Sequence, residues 1–224
     1  MLSELISGNL DFASLIIYIL SSLAVIFITL PVHEFAHGFA ATKLGDPTPR
    51  YQGRLTLNPF AHIDYIGSLC ILLFGFGWAK PVQVNARNFK NQKGGMAITA
   101  FAGPLSNLVF ALICLFFVNG ILKVYIATEL TFLAYLYSFF FYIVQINISL
   151  AVFNLIPVPP LDGSRILFAF LPSKYYFGFM RYERYITIGL FALIYTGVLD
   201  APLYYATSAI YNVLQTIAGL PFGF

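Results

Sequence analysis

Charge is what this chain has least of. Only 9% of its 224 residues are Asp, Glu, Lys or Arg, against about 25% in soluble domains. That excludes an ordinary water-soluble domain. Histidine is scarce as well, with three in the chain, so two of them within one apolar run need a reason. The two cysteines, Cys70 and Cys114, both sit in apolar runs. They read as small buried hydrophobes rather than a disulfide framework. No basic residue occurs in Met1–Asp11, unlike the start of a cleavable signal. The excess of 12 Lys and Arg over 9 Asp and Glu is small. It sets an orientation in a membrane and indicates no nucleic-acid partner. There is no internal repeat and no low-complexity tract.

What the chain does have is apolar length, with 59% hydrophobic residues and a mean hydropathy of +0.82. It reads as an all-α polytopic membrane protein, one domain over residues 1–224. A membrane helix needs roughly 20 mostly apolar residues. Three runs qualify: Phe12 to about Leu44, about Met96–Leu122, and about Thr131–Ile156. A shorter apolar piece, Ile166–Leu171, follows. Ile186–Ala218, interrupted at Asp200-Ala201-Pro202, reads as a tight hairpin of two short helices. Ile66–Trp78 is too short to span and reads as a re-entrant loop or a strand pair. Lys43, Arg50, Arg54, Lys80, Arg87, Lys90 and Lys93 lie between the first and second spans. Arg165, Lys174, Arg181 and Arg184 follow the third, and only Lys123 lies between the second and third. The expected location is a cell membrane, with the N-terminus outside and the basic loops cytoplasmic.

Within the first run lies His33-Glu34-Phe35-Ala36-His37. On a helix the two His share a face one turn apart. Two imidazoles so placed can bind one Zn²⁺, and a Glu beside the first can take a proton from water. His37 precedes Gly45 by eight residues, roughly 12 Å of helix, so the pair lies within the bilayer towards the cytoplasmic face. Catalytic zinc needs a third protein ligand. His62 sits among loop residues, where a hydrogen-bonding role is the expectation. Asp162 alone among the carboxylates lies in an apolar, proline-broken segment, Asn154-Leu-Ile-Pro-Val-Pro-Pro-Leu-Asp162-Gly163. It can be the third ligand or the cap of a helix beginning at Gly163. Asn154 can donate to a developing oxyanion, or satisfy carbonyls freed by the prolines. In Ala102-Gly103-Pro104-Leu105-Ser106-Asn107, the small residues Thr99 and Gly103, and Ala102 and Ser106, are spaced for close helix packing. Asn107 is a candidate for a bond between helices.

These motifs, in this order and in separate apolar segments, resemble the site-2 protease family of intramembrane zinc metalloproteases. The similarity covers about residues 16–171, and Gly77-Trp78-Ala79-Lys80-Pro81-Val82 resembles a compact prokaryotic branch. The resemblance implies a three-helix catalytic core, His33, His37 and Asp162 as zinc ligands, and Glu34 as catalytic base. It also implies Zn²⁺ as cofactor and membrane-embedded proteins as substrates. The connection Leu122–Leu130 is too short for an inserted PDZ domain. The C-terminal stretch is read as leaving no room for a soluble nucleotide-sensing domain. Two other readings of the same residues stay open. One is a zinc-dependent hydrolase of a non-peptide membrane substrate. The other is a metal-binding transporter or scaffold.

Overall fold

In lipid a backbone must satisfy its own hydrogen bonds, so long apolar runs become helices. A computed structural model describes residues 12–74, 77–172 and 181–223. Met1–Asp11 and Lys174, which entered the topology reading, lie outside the described residues. Helix α1 (Phe12–Lys43) is followed by a loop and a short helix α2 (Tyr65–Phe74). Then come α3 (Gln92–Thr128), α4 (Thr131–Asn154), α5 (Asp162–Phe170), α6 (Glu183–Tyr195) and α7 (Asp200–Gly219). Helices α1, α3 and α4 are long and apolar enough to cross a membrane. The chain is a multi-pass membrane protein, and no strand occurs among the described residues.

Helix α3 has 37 residues, about 55 Å at helical rise and well beyond a hydrocarbon layer of about 30 Å. Its polar start projects past the apolar layer, where the Asn91 side chain caps it by accepting from the Gly94 N–H at 3.0 Å. Only Glu129 and Leu130 separate α3 from α4. Glu129 adopts a left-handed φ of 53°, which turns α4 straight back along α3. Val25, Ala111, Leu115, Val144 and Ile148 are fully buried where α1, α3 and α4 meet. Inside α1 the residues Val25–Thr29 form a π turn, a form that often marks functional sites. It lies immediately before the helical stretch that carries the His pair.

One alternative drops out and one expectation needs correction. Of the re-entrant loop and the strand pair open for residues 66–78, the strand pair is not formed among the described residues. The Asp64 carboxylate accepts from the Ile66 and Gly67 N–H groups, a helix cap that starts α2. Residues 77–85 then run in neither helix nor strand. A Cβ on Gly67 would overlap the Trp78 carbonyl, and one on Gly77 would overlap the Gly67 carbonyl. The two glycines therefore let the return lie on the helix start.

The C-terminal pair is not a tight hairpin either, since α6 and α7 meet at 84°. The break falls at Thr196–Leu199, with Gly197 at φ 72°. Asp200-Ala201-Pro202 is the first turn of α7 and not the interruption. A proline is tolerated there because first-turn N–H groups have no helical partner.

Candidate metal centre

His33, Glu34 and His37 are 6%, 7% and 6% exposed, on the face of α1 that meets α3. The His37 Nδ1–H donates to the Thr99 carbonyl at 2.7 Å. A carbonyl only accepts, so the proton is on Nδ1 and the Nε2 lone pair is free to bind a cation. His33 Nε2 lies 3.0 Å from His37 Nε2. Asp162 Oδ2 lies 3.4 Å from the first and 3.2 Å from the second. A tetrahedral zinc with bonds of 2.0–2.1 Å separates its donors by about 3.3 Å. The three atoms thus fit Zn²⁺ in spacing and in chemistry, and they are the one such cluster among the described residues.

Local sequence brings them together. Gly103 of α3 faces the imidazoles: a Cβ there would overlap His37 Nε2 and stand 2.7 Å from His33 Cε1. The small-residue spacing read as a packing face is the cradle of the two rings. One turn before Gly103 on α3, the Thr99 carbonyl takes the His37 imidazole. Gly163 has a parallel role, since a Cβ on it would overlap the Leu155 carbonyl. That close approach folds α5 back on the end of α4. Asp162, in the first turn of α5, is thereby carried to the His pair.

Glu34 accepts a hydrogen bond from the Val82 backbone N–H at 2.8 Å. Sequence reasoning missed this link, which joins residues 48 apart. Nothing in a backbone amide signals it. Asn154 lines the same cleft, and its Nδ2 donates to the Leu150 carbonyl at 2.9 Å. His62 is fully buried and bonded to the Thr56 carbonyl at 2.8 Å. It lies outside the donor cluster, as its loop setting suggested. The cleft over the cluster measures about 440 Å³, and Trp78, Pro81 and Phe191 are among its apolar walls.

A family model described as Peptidase family M50 matches residues 117–196, a stretch holding Asn154 and Asp162 but not the His pair. The chain is 44% identical over 160 residues to "Putative zinc metalloprotease YwhC" of Bacillus subtilis strain 168, covering 69% of this chain and 73% of that protein. It is 30% identical over 143 residues to "Putative zinc metalloprotease Rip2" of Mycolicibacterium smegmatis, covering 60% and 51%. It is 29% identical over 167 residues to "Putative zinc metalloprotease MJ0611" of Methanocaldococcus jannaschii, covering 69% and 72%. No solved structure gives a significant match.

Proposed function

The chain belongs to peptidase family M50, and from that premise we propose that it is an intramembrane zinc endopeptidase with His33, His37 and Asp162 as metal ligands and Glu34 as general base. The observation that carries the reading is the convergence of three donor atoms, from α1 and α5, beside a buried carboxylate.

Bound zinc supplies Lewis acidity, polarising a carbonyl oxygen and lowering the pKa of water from about 15.7 towards 7. The protein's own groups do the rest. Val82 N–H holds one Glu34 oxygen, which leaves the other to take a proton from the attacking water and pass it to the leaving amine. The Asn154 amide retains one hydrogen beyond its bond to Leu150, and we assign that hydrogen to the developing oxyanion. His37 is held in its ligand tautomer by Thr99.

The substrates are membrane-embedded proteins. A helical substrate hides its peptide bonds in its own hydrogen bonds and must unwind locally to be cut. We assign that task to residues 77–85, which form neither helix nor strand. Lys80 N–H donates to the His62 carbonyl at 2.8 Å and Val82 N–H to Glu34. That two-residue alternation would leave the backbone groups between them for an unwound segment to pair with as a strand. Residues 1–224 act as a single domain in a cell membrane. The N-terminus is outside, and the site opens towards the cytoplasm on the side of the basic loops.

The test is zinc content and cleavage of a transmembrane peptide on one preparation of Glu34→Gln. Glutamine keeps the size but cannot accept the proton. Cleavage should fall roughly 10²–10⁴-fold, with zinc near the wild-type level. Activity near wild type with zinc still bound would sink the mechanism.

A further inference from the structure

One polar side chain in the cleft has nothing to do in the protein alone. Asn107 is 1% exposed, and neither its Oδ1 nor its Nδ2 has a hydrogen-bond partner. Buried amides left with both ends unmet are rare and call for an explanation. Asn107 lines the cleft above the metal ligands. It is four residues beyond Gly103, hence on the same face of α3 and one turn, about 5–6 Å, further along. Gly103 is the residue that touches both imidazoles. Because α1 and α3 are joined by the loops at the ligand end of the cleft, that further turn points into the membrane. Leu30, one turn before His33 on α1, and Leu150, one turn before Asn154 on α4, line the cleft with it.

We propose that Asn107 is a substrate-binding residue, whose side-chain amide pairs with the backbone N–H and C=O of one residue of the unwound substrate on the membrane-deep side of the scissile bond. An Asn side chain carries one carbonyl acceptor and an NH₂ donor, the same complement as a peptide group. Unwinding strips a substrate peptide group of both its partners in a setting without water, which is costly. Asn107 meets both needs for one extended residue, whose N–H and C=O point to the same side: Nδ2 donates to that residue's carbonyl, and Oδ1 accepts from its N–H. Recognition of this kind reads backbone and not side chains. It therefore favours substrates that unwind easily over any particular sequence. Asn154 is a poorer candidate for the task, since one of its amide hydrogens is already held by Leu150.

The inference rests on the protease reading, and the experiment separates the two. Asn107→Leu and Asn107→Ala are purified beside the wild type and Glu34→Gln. Each is assayed for zinc content, thermal midpoint, and KM and kcat on a transmembrane peptide. Asn107→Leu replaces an unpaired buried amide by an apolar group of similar volume, so its midpoint should match or exceed the wild type. Its KM should rise about tenfold, the scale of two net hydrogen bonds, while kcat changes little because binding to a non-reacting peptide group is uniform. Peptide affinity measured on the Glu34→Gln background should fall by the same factor when Asn107→Leu is added. Asn107→Ala should show the same rise in KM. Unchanged KM in both variants overturns the proposal, and so does a lowered midpoint or lost zinc, which would make Asn107 a structural residue. A fall in kcat alone overturns it too. A wild type that holds zinc but leaves the peptide uncut defeats the protease reading and this inference with it.

Discussion

At the scale of single residues, the proposed site depends on groups that touch the proposed ligands as much as on those ligands. His33→Ala, His37→Ala and Asp162→Ala should each lose the single zinc expected per chain, since catalytic sites use three protein ligands. His62→Ala should retain it, because that imidazole is spent on the Thr56 carbonyl. Elemental analysis of the purified variants decides this, and full zinc in Asp162→Ala would remove that residue from the set. Gly103→Ala is the sharper test of the cradle. Its methyl would overlap His37 Nε2, so a ring must move. Zinc affinity should drop roughly 10–100-fold, the usual effect of disturbing groups around a ligand. A competition titration with a chelator measures it. In the sequence, Gly103 was legible as a packing residue. What it packs against was not, since that depends on the approach of α1.

Among the elements, the loop between α1 and α3 is what keeps Val82 against Glu34. Asp46 anchors it. Its side chain is 0% exposed and accepts from the Thr48 hydroxyl at 2.6 Å, the Asn88 amide at 2.6 Å and the Asn85 N–H at 2.7 Å. Burial pushes its carboxyl up, but the hydrogen bonds from Thr48, Asn88 and Asn85 outweigh that and hold it below the usual carboxylate range. A depressed folded pKa means a contribution present in full above the unfolded value, about 3.9. It is lost as pH falls through the lower folded value. Loop protection measured by amide exchange should therefore be flat from pH 7 to about 5 and fail only below about pH 4. Asp46→Ala should loosen the loop at neutral pH by about 3 kcal/mol, given charge-assisted bonds of about 1.5–3 each that do not add fully, and the difference from wild type should shrink below about pH 4. Cleavage should fall with it while zinc is retained, because no ligand lies in the loop. The sequence ended the first apolar run at about Leu44, two residues before Asp46. The partners of Asp46 at 85 and 88 came only with the folded loop.

For the whole molecule, the proposed topology has the basic loop between α1 and α3 in the cytoplasm and the α3–α4 turn outside. A cysteine at Gly94, in a variant lacking Cys70 and Cys114, should be labelled only from the cytoplasmic side, and one at Thr128 only from outside. Labelling of Gly94 from outside would invert the protein. The sequence by itself determined the membrane class, the three long helices, the His pair and its Glu. Each follows from local facts: apolar length, helical period, and the cost of charge in lipid. Asp162 was a candidate on similar grounds, as a carboxylate in a proline-broken apolar segment. Tertiary structure decided the rest. It brought Asp162 Oδ2 to 3.2–3.4 Å from the imidazoles, set Thr99 on His37 and Val82 on Glu34, and left Asn107 unpaired. It also showed a helix with a non-helical return where a re-entrant loop or a strand pair stood open, and a corner in place of the hairpin. The physical reason is common to these. They depend on backbone carbonyls, amides and missing Cβ atoms meeting across long separations in the chain, and those groups carry no side-chain signature for a sequence to display.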